Sequence, residues 1–246
     1  MITEVETPAL AVDLDAFEEN LRTMKASLAQ YPKCKVRPHF KAHKSVWLAK
    51  AQAKELRCEG FCCQKVSEAE ALLRGGILDV YLSNEVVDPV KLRRVMALAK
   101  QVSGKLTFCA DSVEGVGAIE EAAASTGLTQ VACLTDCNVG QDRCGATGPQ
   151  ETLAVSLAIA KSPHLVFKGI QVYQGGAQHI RAFTDREGSS KSVAAKASEL
   201  VRLLEANGLK VEVVTGGGTG TYAQDAATGV FTEVGLSFQC SNENYI

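Results

Sequence analysis

Short apolar runs alternate along the chain with longer stretches in which apolar residues recur every three or four positions. The short runs read as strands over residues 36–40, 60–64, 80–83, 106–110, 131–136, 167–173 and 211–215, with a weaker eighth over 231–234. The longer stretches read as amphipathic helices. Leu14, Phe17, Leu21, Met24 and Leu28 share one helical face between Asp13 and Gln30. Ser67 with Glu70 three residues on has the spacing of a capping box, and Asp88-Pro89 places a cap before a first-turn proline. Pro149 opens a helix toward Lys161, and a last long helix covers 189–206 and stops before Gly208.

Strands separated by helices pair in parallel through right-handed crossovers. Eight such units in one chain of this size predict an α/β fold of the (β/α)8, TIM-like kind. A doubly wound open sheet is the alternative; the pattern alone does not separate the two. No GxGxxG follows the first strand, however, and this weighs against a dinucleotide-binding fold. The chain shows no internal repeat or low-complexity linker, so it reads as one domain.

Charge narrows the function. The formal net charge is −2, so no basic footprint points to nucleic acid or an anionic membrane. No apolar run reaches the ~18 residues that would span a bilayer. Glu4 and Glu6 occupy the start where a secretory signal would carry basic residues, so a cytoplasmic location is expected. The nine cysteines include no CxxC pair and read as reduced, mostly buried thiols rather than metal ligands.

In a barrel the chemistry gathers where the strands end. The first strand ends in Arg37-Pro38-His39-Phe40-Lys41-Ala42-His43-Lys44, and the seventh in Thr215-Gly216-Gly217-Gly218-Thr219-Gly220-Thr221-Tyr222. Glycines let backbone amides turn toward a phosphate, and threonine hydroxyls add donors. The Gly-Lys-Ser/Thr ending of a P-loop is missing, so a nucleoside triphosphate is disfavoured. A flexible turn is the plainer reading of the glycines, as a solvated lysine is of Lys41. Basic neighbours on both sides would lower an amine's pKa and make it a better nucleophile toward a carbonyl. A lysine opposite a phosphate cradle suggests a Schiff base to pyridoxal 5′-phosphate (PLP).

The Arg37–Lys44 run resembles the PLP-lysine motif of D-threonine aldolases and eukaryotic-type D-serine dehydratases, which share the alanine-racemase-like, fold-type III barrel. Further similar segments begin at Thr7, at Cys62-Cys63-Gln64-Lys65, at Asn138-Val139-Gly140-Gln141-Asp142-Arg143-Cys144-Gly145, at Tyr173 and at Thr215. The resemblance implies that Lys41 binds the cofactor aldehyde, that Arg143 bonds its phenolic oxygen and that Tyr173 lies beside its ring or phosphate. Thr215, Gly216, Gly217, Gly218 and Thr219 would hold the phosphate. His179 would take the proton from a substrate β-hydroxyl, a task that suits neutral imidazole. Gln64 and Asn84 would line the pocket.

The implied activity is retro-aldol cleavage of D-threonine-like substrates to glycine and an aldehyde. D-serine dehydration to pyruvate and ammonia is the first alternative, and non-catalytic PLP binding the second. The family also implies a β-rich C-terminal domain with divalent-metal ligands. Here the barrel is expected over 6–234, with 235–246 an unaligned tail, the β domain absent, and activity impaired by the truncation. None of His39, His43, His164 and His179 recreates a metal-ligand spacing, and a frayed tail is the plainer reading of Cys240 and Glu243. A homodimer is one arrangement that the fold type implies.

Overall fold

Four of the helices begin where a side chain accepts from a first-turn amide. The computed structural model describes residues 6, 8–9, 11–58 and 60–237. Asp13 accepts from the Ala16 amide at 3.0 Å and starts α1 (Leu14–Leu28). Ser45 caps α2 (Val46–Leu56), Asp88 caps α4 (Pro89–Val102) through the amides of Val90 and Lys91, and Ser112 caps α5 (Val113–Thr126). The others are α3 (Val66–Arg74), α6 (Gly148–Lys161), α7 (Phe183–Ala206) and α8 (Tyr222–Ala227). The strands are β1 (Lys35–Pro38), β2 (Phe61–Cys63), β3 (Asp79–Leu82), β4 (Lys105–Ala110), β5 (Val131–Asp136), β6 (Leu165–Val172), β7 (Val213–Gly216) and β8 (Glu233–Leu236).

All strand pairs are parallel, in the order β1-β8-β7-β6-β5-β4-β3-β2, and a bridge between His39 and Cys62 brings β1 back to β2. This consecutive order makes a nearly closed eight-stranded barrel and removes the doubly wound alternative, whose strand order reverses at a switch point. Apolar side chains on the outer faces of the strands pack against the helices in two large clusters. A small group of Cys62, Tyr81, Cys109 and Leu134 fills part of the interior.

Several expectations shift. Ser67 is not a cap: α3 begins one residue earlier, and the Glu68 carboxylate takes the Gln64 amide instead. The first strand stops at Pro38, because His39 turns the chain into a 3₁₀ turn over Phe40–Ala42. Helix α7 starts at Phe183, one and a half turns before the expected point. Gly235 and Leu236 pair with Arg37 and Pro38, so β8 runs beyond residue 234. Thr7, Leu10, Cys240, Glu243 and the rest of 238–246 lie outside the described residues.

Candidate active site

Where the strands end, a cavity of about 460 Å³ opens into the barrel. Its lining includes Lys41, Gln64, Asn84, Arg143, Tyr173, His179, Thr215, Gly216, Gly217, Gly218 and Thr219. These residues come from six strand ends that the sequence separates by up to 178 positions, from Lys41 to Thr219. His39, Cys62, Tyr81, Ser83, Gln171, Gln178, Gly220, Gly235, Leu236 and Ser237 complete the wall.

Local bonding fixes each loop. Asn138 accepts from the amides of Gly140 and Asp142 and donates to the Asp142 carboxylate, which shapes the turn carrying Arg143. The Arg143 guanidinium stands 5.7 Å over the Tyr173 ring. Gln174 accepts from Gly176 at 3.1 Å and begins the 3₁₀ turn Gly175–His179, which leaves His179 exposed at the cavity mouth. Gln178 on the same turn clasps the glycine loop. It accepts from the Gly220 amide at 2.8 Å and donates to the Thr221 hydroxyl at 2.9 Å. A β-carbon on Gly218 would lie 2.6 Å from Gln178 Oε1, so only glycine admits this clasp. Gly217 sits at φ +73°, a left-handed conformation, and the Gly218 amide that follows donates to the Thr221 hydroxyl at 3.3 Å.

The threonine hydroxyls are already committed. Thr215 donates to Glu233 at 3.1 Å, and Thr219 to the Ser237 carbonyl at 2.5 Å. The Gly218 and Gly220 amides are committed too, to Thr221 and Gln178, which leaves the Gly217 and Thr219 amides as the donors the turn could offer an anion.

The basic surroundings expected for Lys41 take a different form. The Arg37 guanidinium turns toward the opposite end of the barrel and pairs with Asp79 at 2.6 Å and Glu233 at 2.9 Å. Lys44 lies 3.8 Å from Glu68. Burial, and then the charge of Lys41, holds His39 down at about pKa 3, and burial lowers His43 as well. Both imidazoles are neutral at physiological pH. The fourth histidine, His164, pairs with Glu120 and lies outside the cavity.

Beneath the cavity, Tyr81 donates to Gln171 Oε1 at 2.5 Å, and Gln171 donates to Asp136 at 2.8 Å. Burial, followed by the hydrogen bond and charge of Glu85, pushes the Asp136 carboxyl well above its usual range. Glu85, Asp136 and Cys144 bring three possible metal donors within 4.8 Å, a grouping that spacing did not reveal. Burial, with the charges of Glu85 and Asp136, raises the Cys144 thiol to about 11. A divalent cation would have to displace the protons of this set on binding, and no metal step is assigned to it.

PLP, by contrast, fits. A cavity of this size holds a small cofactor, one wall carries a primary amine, and the facing wall is a glycine turn suited to a phosphate. Ser83 and Gln178 stand in polar strand-end runs of the sequence without an assigned role, Gln171 is a polar side chain inside the apolar run of β6, and Tyr81 carries no such signal.

A (β/α)8 barrel with a lysine and a glycine turn converging at the strand ends has a site suited to a small phosphate-bearing ligand. The chain belongs to the family described as alanine racemase, N-terminal domain, whose profile matches residues 12–237. It is similar to the 3-hydroxy-D-aspartate aldolase of Paracoccus denitrificans (strain Pd 1222), with 41% identity over 94% of this chain and 59% of that protein. It is also similar to the D-threonine aldolase of an Arthrobacter species, with 38% identity over 95% and 60%. The crystal structure of D-threonine aldolase from Filomicrobium marinum superposes with a TM-score of 0.90 at 36% identity, covering 96% of this chain and 63% of that one. An alanine racemase of Clostridium difficile 630 shares the fold at a TM-score of 0.77 and 15% identity. The chain thus spans about three fifths of the length of the curated relatives it matches.

Proposed function

We propose that this chain is the cofactor-holding barrel of a PLP-dependent lyase that cleaves D-3-hydroxy amino acids to glycine and an aldehyde. The observation that carries the reading is the meeting of Lys41, Arg143, Tyr173, His179 and the 215–219 loop in one cavity. The names of the aldolase relatives support the substrate class.

Each residue has a task that its position allows. Lys41 supplies the amine that bonds the cofactor aldehyde. The amides of Gly217 and Thr219 hold the phosphate, while Gln178 and the Gly218–Thr221 bond keep that turn in shape. Arg143, over Tyr173, offers a cation to the phenolic oxygen. Gln64 and Asn84 present amide groups to the substrate's polar ends. His179, at the mouth, accepts the β-hydroxyl proton, which opens the bond between the α- and β-carbons to cleavage. When bound, PLP draws electrons away from the substrate's α-carbon.

The test incubates the chain with PLP and then with D-threonine or 3-hydroxy-D-aspartate. Expected are visible absorption from lysine-bound PLP that Lys41→Ala abolishes, and release of glycine with an aldehyde. Pyruvate with ammonia would assign D-serine-type dehydration instead. PLP binding without turnover of either substrate would assign a carrier. Absorption that survives Lys41→Ala unchanged would overturn the reading.

A further inference from the structure

His39 stands where three strands converge, and its backbone amide and both ring nitrogens have partners. Its backbone amide donates to the Leu236 carbonyl on β8 at 2.7 Å. Its backbone bridges Cys62 on β2, the contact that returns β1 to the sheet. Its Nδ1 accepts from the Lys41 amide at 3.3 Å, and its Nε2 lies 3.4 Å from the Ser83 hydroxyl after β3. Ser83 in turn donates to the Cys63 carbonyl at 3.2 Å. Because Nδ1 accepts from an amide, the proton of the neutral ring belongs on Nε2, which then donates to Ser83. The same device repeats four residues on. His43 Nδ1 accepts from the Ser45 amide at 3.0 Å, and His43 Nε2 faces Gln52 Oε1 at 3.0 Å.

We propose that His39 is a positioning residue: a neutral Nε2–H imidazole that caps the Lys41 amide and so fixes the turn presenting the lysine to the cavity. The inference rests on the PLP reading of Lys41 and adds to it the means by which the amine is aimed. The first amides of a helical turn lack partners within the turn, and a side-chain acceptor two residues upstream supplies one. The choice of histidine has a chemical logic. Aspartate could cap the same amide, but its charge would pair with the Lys41 ammonium and hold it away from a carbonyl. Serine could accept from the amide but is too short to reach Ser83 as well. Imidazole accepts on one side and donates on the other without net charge. The groups around the ring are Lys41 on its own turn, Cys62 on β2 and Ser83 after β3. Of these only Lys41 carries charge, since burial pushes the Cys62 thiol up to about 12. Protonation would turn Nδ1 into a donor aimed at an N–H and break the cap.

Three readouts test this on the whole chain. Histidine-labelled NMR is expected to find His39 as the neutral Nε2–H tautomer from about pH 8 to about pH 4.5. A ring that titrates near its ordinary value, or carries its proton on Nδ1, overturns the proposal. Hydrogen exchange at the Lys41 amide should speed up in His39→Phe and stay protected in His39→Asn, which keeps a neutral acceptor. PLP titration should weaken about threefold to thirtyfold in His39→Phe, the range for a lost N-terminal cap, and recover in His39→Asn. In His39→Asp, PLP addition should require higher pH. Equal amide protection and equal PLP binding in wild type, His39→Phe and His39→Asn would refute the positioning role. If wild type takes up no PLP, the functional reading falls, while tautomer and exchange still decide the clamp.

Discussion

His39 and His43 form part of a run rich in basic residues, yet burial removes their positive charge. For His39 the consequence is measurable. Its pKa falls from 6.5 to about 3 in the folded chain. Between those values the unfolded chain binds a proton at this position and the folded chain does not. Stability from this group is therefore complete above pH 6.5 and is lost as pH falls toward about 3. Urea unfolding at about pH 7 and about pH 4.5 should show a stability loss that is smaller in His39→Asn by about 2 kcal/mol. An unchanged loss would mean that the ring takes up its proton in the native state. Gln178 gives a second residue-scale prediction. Gln178→Ala removes the clasp on Gly220 and Thr221, so phosphate and PLP affinity should fall severalfold with little change in melting temperature. Calorimetric titration of both ligands checks it.

Strand β6 shows how one element reaches the site. Phe167, Ile170 and Val172 all pack on the helix side of the sheet, which strict alternation forbids for residues three apart. The register against β5 shifts between Cys133 and Leu134, so that Phe167 and Gly169 face consecutive partners and Lys168 is the extra residue of a bulge. That bulge reverses the phase of the strand and turns Gln171 into the barrel. Gly169 makes it possible, at φ +145° and with a β-carbon position only 1.9 Å from the Val213 carbonyl. Gly169→Ala should cost about 2–4 kcal/mol through strain and overpacking. Thermal unfolding should then begin about 5–15 °C lower. A melting temperature equal to wild type would show that the bulge relaxes without cost.

Closure of the barrel is a property of the whole molecule, and its weakest seam lies between β1 and β2, which share one bridge. Arg37 spans that seam from within. It reaches from β1 past Gly60 to Asp79 on β3, and back to Glu233 on β8. A β-carbon at Gly60 would lie 2.4 Å from Arg37 Nη1, so the missing side chain is the guanidinium's passage. Burial alone would lower the Arg37 pKa, but the charges of Glu233 and Asp79 outweigh it and raise it. Arg37→Met leaves the half-buried Asp79 and the buried Glu233 carboxylates without a cation and should destabilise the chain by about 3–5 kcal/mol. Replacing Arg37, Asp79 and Glu233 together with apolar residues of similar size should recover most of that loss. Chemical denaturation of the single and triple variants decides this; equal losses would show that packing, not charge, holds the seam.

The amino-acid sequence by itself determined the order and type of the elements, because the period of apolar residues and the local caps depend on near neighbours alone. It also marked Lys41 and the glycine turn, whose chemistry is written in single residue types. Only the tertiary structure decided that Arg37 belongs to the far end of the barrel, that His39 is neutral, that Gln171 faces inward and that Gln178 grips the glycine loop. Those outcomes depend on burial, on the phase set by one bulge and on which strand ends meet when the sheet closes. Such contacts join residues far apart in the chain, as Arg37 and Glu233 are at 196 positions, and no local pattern encodes them.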